Sequence, residues 1–174
     1  MQALSDDFAA MQAGIDRVAA QVSGVPVADV LLLRMIKHLG TTMTARMERV
    51  LQPHGLAETD FSALMQLFSS PDGSASPGEL CGLTAQRPTN MTRIADALVR
   101  KGLATRRPGI SDRRRVVLRI TAAGERIVRA LLPQMLPELE AGFAGLGPRD
   151  KQQLGRLLRR LAASIDATAQ DTRR

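Results

Sequence analysis

The chain has 174 residues, 44% of them apolar, enough to bury one core and append a few helices to it. Four Phe with no Trp or Tyr leave little material for stacking unpaired bases, one cysteine excludes an internal disulfide framework, and two histidines exclude a recognisable Cys/His metal cluster. The formal net charge is +7, no stretch approaches the roughly 20 apolar residues that span a bilayer, and the amino terminus is acidic where a signal peptide is basic, so a cytoplasmic protein without membrane association is expected.

Residues 5 to 22 predict an amphipathic helix, with Ser5 as its cap and Phe8, Met11, Ile15, Val18 and Val22 at helical spacing. A longer helix follows from about Asp29 to Gln52, and its stripe Leu32, Ile36, Leu39, Met43, Met47 and Val50 must pack against something. A third runs from Glu58 or Thr59 to about Phe68, burying Phe61, Leu64, Met65 and Phe68. Ser76-Pro77-Gly78-Glu79 has the form of a capping box with proline at the first helical position, which starts a short helix through Leu83. A tight turn leads into the helix from about Pro88 to Lys101, closed by Gly102, and the pair reads as a helix-turn-helix. Strands over Leu103–Arg107 and Arg115–Ile120 form a hairpin, and a hairpin directly behind a helix-turn-helix is a wing. Thr121 caps a helix to about Ala141, interrupted by Pro133 and Pro137 where a bend is expected. Gly145–Pro148 turns the chain into a last helix from about Arg149 to Thr168, with Leu154, Leu157, Leu158, Leu161 and Ile165 on one side. The fold class is mainly α with a small β-hairpin.

Between Arg87 and Arg119 stand ten Arg or Lys against two acids, an excess larger than the net charge of the whole chain. Such a concentration suits the phosphates of duplex DNA. On the helix from Pro88, Met91, Ile94, Ala95 and Leu98 share one face and Thr89, Arg93, Asp96 and Arg100 the opposite one. The leading residues of a helix in the major groove reach base edges, so Gln86, Arg87, Thr89, Asn90, Thr92 and Arg93 are the base-reading residues expected. In the wing, Asp112 precedes Arg113, Arg114 and Arg115; a carboxylate bracing Arg114 would hold a cation for a narrow minor groove, whereas alone the run reads as solvated charge. Arg100, Lys101, Arg106 and Arg107 are expected at phosphates.

Thr89-Asn90-Met91-Thr92-Arg93-Ile94-Ala95-Asp96, followed by Lys101-Gly102-Leu103, and Asp112-Arg113-Arg114-Arg115 running into Leu118-Arg119-Ile120-Thr121-Ala122-Ala123-Gly124, resemble the winged-helix transcriptional regulators of the MarR family over about residues 29 to 166. The ThrAsn-x-ThrArgIleAlaAsp wording is most similar to the EmrR-type multidrug-efflux repressor branch. The turn Leu83-Thr84-Ala85-Gln86-Arg87-Pro88 departs from the family pattern by lacking a glycine and a small hydroxyl cap. The resemblance implies a homodimer on a pseudo-palindromic operator. Residues 29–56 and 122–170 would then form the helical dimerisation region, 57–121 the DNA-binding lobe (recognition helix about 87–101, wing about 103–120), and 1–28 an extension helix that is dimer-associated or mobile.

It also implies repression released by a small lipophilic or phenolic anion, acting on an efflux or stress-response operon and on the regulator's own gene. Arg34, Met35, His38, Thr42, Arg46 and Met65 would line the pocket, a cation among apolar groups suiting a carboxylate or phenolate; His38 and Thr42 also read as interface residues. The alternatives are a ligand-independent architectural DNA-binding protein, a thiol-based redox-sensing regulator using Cys81, and a protein-interaction module. No nucleophile, base and orienting acid assemble into catalytic residues, so neither an enzyme nor a cofactor is expected.

Overall fold

The computed structural model describes residues 3–108 and 116–171. In chain order the elements are α1 (Leu4–Ala19), α2 (Val27–Leu51), a 3-10 turn (Gln52–His54), α3 (Glu58–Ser69), β1 (Ser74–Ala75), α4 (Pro77–Thr84), α5 (Pro88–Arg100), β2 (Ala104–Pro108), β3 (Val116–Ile120), α6 (Ala122–Gly142) and α7 (Pro148–Asp171). The sheet is antiparallel in the order β1-β3-β2, with Ala104 opposite Ile120 and Arg106 opposite Leu118. The strand β1 is an addition to the expected hairpin. It pairs Ser74 with Arg119 and Ala75 with Leu118, and two residues are too few for an alternating pattern to register in the sequence. Asp72 pins its entry: the Ser74 hydroxyl and amide and the Ser70 hydroxyl donate to the Asp72 carboxylate and hold its pKa below the usual range.

The core of the lobe gathers Leu51 and Leu56 with Phe61, Leu64 and Leu67 of α3, Leu80 of α4, Met91, Ile94 and Leu98 of α5, Leu118 of β3, and Val128 and Leu131 of α6. Most of these side chains are wholly removed from water, each contributing on the order of 2 kcal/mol of burial free energy. Met65 and Phe68, expected on the buried face of α3, pack against the edge of this core, and Arg129 of α6 lies 4.9 Å over the Phe68 ring. Two features of the β3–α6 junction hold the sheet against the helices. The Thr121 hydroxyl accepts from the Gly124 amide, as its predicted cap role requires, and donates to the Gly102 carbonyl. Gly124 lies so close to β2 that a Cβ there would collide with the Leu103 carbonyl oxygen and the Ile120 side chain.

Three expectations are corrected. Ser5 does not cap α1, which starts a residue earlier with Ala3 at the N-cap and Asp6 and Asp7 in its first turn. That helix stops at Ala19, so Val22 lies beyond it. Pro133 and Pro137 do not interrupt α6: each removes one ladder donor, and the helix runs through both. Residues 4–19 form a docked helix on α2, through buried Ile15, the Asp7 carboxylate 3.1 Å from His38 Nε2, and Phe8 set edge-on to the His38 ring. The chain divides into two compact units, residues 1–135 and 136–174.

Candidate nucleic-acid interface

The helix-turn-helix is built by strong local signals. Ser76 and Glu79 make the reciprocal capping box: the Glu79 amide donates to Ser76 Oγ at 3.2 Å, and the Ser76 amide donates to the Glu79 carboxylate at 2.7 Å. The helix ends where Ala85 adopts the left-handed conformation at φ 52°, and the amides of Ala85 and Gln86 both donate to the Cys81 carbonyl. Among the described residues Ala85 is the one non-glycine at positive φ. An alanine there fills the place for which a glycine is otherwise selected, and carries the steric cost of its Cβ. Arg87 is then extended as the N-cap of α5, and Pro88 supplies a preset φ at the first helical position.

The helix α5 buries Met91, Ile94, Ala95, Ala97 and Leu98. That burial fixes its rotation and turns Arg87, Thr89, Thr92, Arg93, Asp96 and Arg100 outward. Gln86 and Asn90 are half-buried at its leading end, and their side chains form a relay. The Gln86 amide nitrogen donates to the Thr84 carbonyl at 3.3 Å, the Asn90 amide nitrogen donates to Gln86 Oε1, and Arg93 Nε donates to Asn90 Oδ1 at 3.1 Å. The Thr92 hydroxyl donates back to the Pro88 carbonyl.

The flanking cations divide by role. Lys101 Nζ donates to the Gly55 carbonyl at 2.6 Å and to Asp60 Oδ2 at 2.8 Å, joining the end of α5 to the corner between α2 and α3. Among the described residues Asp60 is the one polar member of the buried set, and its Oδ1 has no partner. The carboxylate therefore depends on that lysine. The signal in the sequence was an acid beside the apolar face of α3. Arg106 of β2 pairs with Asp96 of α5, tying strand to helix, while Arg100 and Arg107 are exposed. Asp112, Arg113, Arg114 and Arg115 lie outside the described residues.

The expected pocket set is only partly brought together. Arg34 and His38 line a shallow cleft of about 300 Å³ with Met11, Lys37 and Thr41. Met35, Thr42 and Arg46 lie on a neighbouring stripe of α2, and Met65 packs against the lobe core from α3. The difference is helical phase. Positions 34, 37, 38 and 41 share one face, and α1 shelters it with Met11, a contribution that a reading of α2 alone missed. Cys81 is half-buried on α4 against the core. Among the described residues no helix is long and apolar enough to cross a membrane, and no group of His, Cys, Asp and Glu gathers to hold a metal ion.

This geometry has counterparts among known proteins. The MarR family matches residues 54–115, from the end of the 3-10 turn to the residue before β3. The transcriptional repressor MprA of Escherichia coli (strain K12) is 34% identical over 154 residues, covering 88% of this chain and 87% of that protein. Among solved structures, Sco3205 of Streptomyces coelicolor, a MarR family transcriptional regulator in complex with DNA, superposes with a TM-score of 0.71 at 22% identity, over 77% of this chain and 86% of that one. CouR of Rhodococcus jostii RHA1, bound to p-coumaroyl-CoA, gives a TM-score of 0.68 at 20% identity, over 82% and 95%.

Proposed function

Because the chain belongs to the MarR family of transcriptional regulators, and so to a group of regulators rather than enzymes, we propose that it is a homodimeric, sequence-specific repressor of duplex DNA. The observation that carries this reading is α5. Its apolar face is locked in the core, its polar leading end is turned outward, and exposed Arg100 and Arg107 flank it where phosphates would lie. MprA is named a repressor and Sco3205 was solved on DNA, and both support the assignment.

In this reading α5 enters the major groove, Arg100 and Arg107 hold phosphates, and Asp112 to Arg115 carry the wing into the adjacent minor groove. Lys101 and Arg106 also brace the lobe, through Asp60 and Asp96, and Arg106 keeps further N–H donors for a phosphate. Residues 29–56 and 122–170 form the dimerisation region, and residues 4–19 add to it by packing on α2. The exposed stripes Leu32, Leu33, Ile36 and Leu39 on α2 and Leu154, Leu157, Leu158, Leu161 and Ile165 on α7 support this. Two such lobes read a pseudo-palindromic operator.

The proposed effector is a small lipophilic or phenolic anion that lowers DNA affinity, with Arg34 and Lys37 supplying cations beside His38 and Met11. CouR's bound p-coumaroyl-CoA gives a phenolic precedent on the same fold. The regulated genes are an efflux or stress-response operon and the regulator's own. A mobility shift on the DNA upstream of its own coding sequence, with and without salicylate or a lipophilic phenol, tests the reading. A specific shift released by the compound is the expected result. Equal coating of any duplex overturns sequence selectivity, and a specific shift that no such compound releases overturns the effector assignment alone.

A further inference from the structure

The last helix carries charge that no internal contact uses. Over residues 149–160 stand five Arg or Lys against one acid, Asp150, and that acid is engaged at the start of α7, where its carboxylate accepts from the Gly147 amide at 3.0 Å. Arg149, Arg156 and Arg160 follow one another seven and four residues apart, so they share one face of the helix, with Arg159, Gln152 and Gln153 beside them. All four arginines are exposed, and among the described residues none has an ion-pair partner. Lys101, Arg106 and Arg129, by contrast, are held by Asp60, Asp96 and Glu125. Arg156 has Arg159 and Arg160 as neighbours on the next turn, where like charges repel.

The make-up of this face selects its partner. It offers guanidinium groups and side-chain amides, and its apolar side chains are no larger than those of Ala163 and Ala167. A protein partner would need an apolar or aromatic centre to bury, and a membrane surface would need apolar side chains to sink below the headgroups. The leucines of α7 lie on its other side, where the proposed homodimer takes them up. A row of arginine forks about 16 Å long is matched instead by a duplex, whose phosphates recur about every 3.4 Å along each strand and accept such forks two oxygens at a time. The row and α5 also belong to different compact units of the chain.

We propose that the arginine face of α7, formed by Arg149, Arg156, Arg159 and Arg160, is a second DNA-binding surface, which holds the phosphates of another duplex without regard to sequence while the lobes hold their operator. One dimer then links two DNA segments. This goes beyond the operator reading of α5 and uses it only to fix the first duplex.

For the test, DNA from upstream of the coding sequence is fixed to beads in excess, so that the lobes are occupied, and loaded with the full chain. A labelled duplex of unrelated sequence is then titrated over it. The wild type should retain this second duplex at about 50 mM salt and lose on the order of a hundredfold in affinity for it by about 200 mM, as counterion release from four phosphate contacts requires. The combined variant Arg149→Gln, Arg156→Gln, Arg159→Gln and Arg160→Gln should retain none, with operator affinity, circular dichroism and the mass by light scattering unchanged. The same four positions changed to Lys keep the charge and should keep most of the retention. A second duplex that the wild type does not retain, or that the Gln variant retains equally, overturns the proposal. So does a Gln variant whose operator affinity falls in step with retention, because the face would then touch the operator itself. Capture needs no sequence preference, so equal binding of a scrambled bead fragment overturns the operator reading and leaves the α7 comparison readable; no binding to any fragment overturns both.

Discussion

The winged-helix lobe and the last helix use the same code to opposite ends. Both α5 and α7 place apolar residues at helical spacing on one side. In α5 that side, Met91, Ile94 and Leu98, is fully buried by α3, α4 and the sheet. In α7 it is not: Leu154, Leu157, Leu158, Leu161 and Ile165 are each 38–58% exposed. The stripe on α2 is likewise open, with Leu32 at 56%. Periodicity therefore says which face is apolar but not what covers it. The lobe completes its own core, whereas the helices at the ends hold apolar surface in reserve, which the proposed homodimer would cover.

The sharpest way to break the comparison is Leu158→Asp. An apolar position buried between protomers does not tolerate a carboxylate, so light scattering should give the monomer mass, and a variant that remains dimeric refutes the interfacial placement of α7. Next is Gly124→Ala in the self-completed lobe. The methyl group meets the Leu103 carbonyl, and urea unfolding should show a loss of about 3 kcal/mol; a change under about 1 kcal/mol would mean the junction is looser than described. Lys101→Met, which leaves the buried Asp60 carboxylate without its cation, should cost about 2 kcal/mol in the same assay, discounted because the lysine side chain is itself partly wet. The smallest effect goes the other way. Ala85→Gly relieves the left-handed alanine in the turn and should raise stability by about 0.5–1 kcal/mol; a destabilised variant would show that the Cβ makes a contact worth more than the strain.

Much of this architecture was legible before the structure, and the parts that were not share a cause. The capping box at Ser76, the period of Met91, Ile94 and Leu98, and Gly102 at positive φ announced the helix-turn-helix, because each acts within a few residues of itself. What depends on distant partners was not readable. β1 exists only because β3 offers its edge, Lys101 is a strut only because Asp60 lies buried 41 positions away, and the cleft at Arg34 includes Met11 only because α1 docks there. Ala85 was legible in part: the missing glycine was visible, but not that the turn would form regardless. For the interface, composition offered six equal polar residues, and the relay from Thr84 through Gln86 and Asn90 to Arg93 that links three of them was not readable from it.

Two copies of this lobe are expected to read one duplex in a sequence-dependent register. The direct test is hydroxyl-radical footprinting of the full chain on the DNA upstream of its own coding sequence. The predicted result is a single bounded site, protected in two symmetric halves whose centres lie about one helical turn apart, or a multiple of it. Protection spread evenly along the fragment, or one unpaired half-site bound by a single protomer, would contradict it.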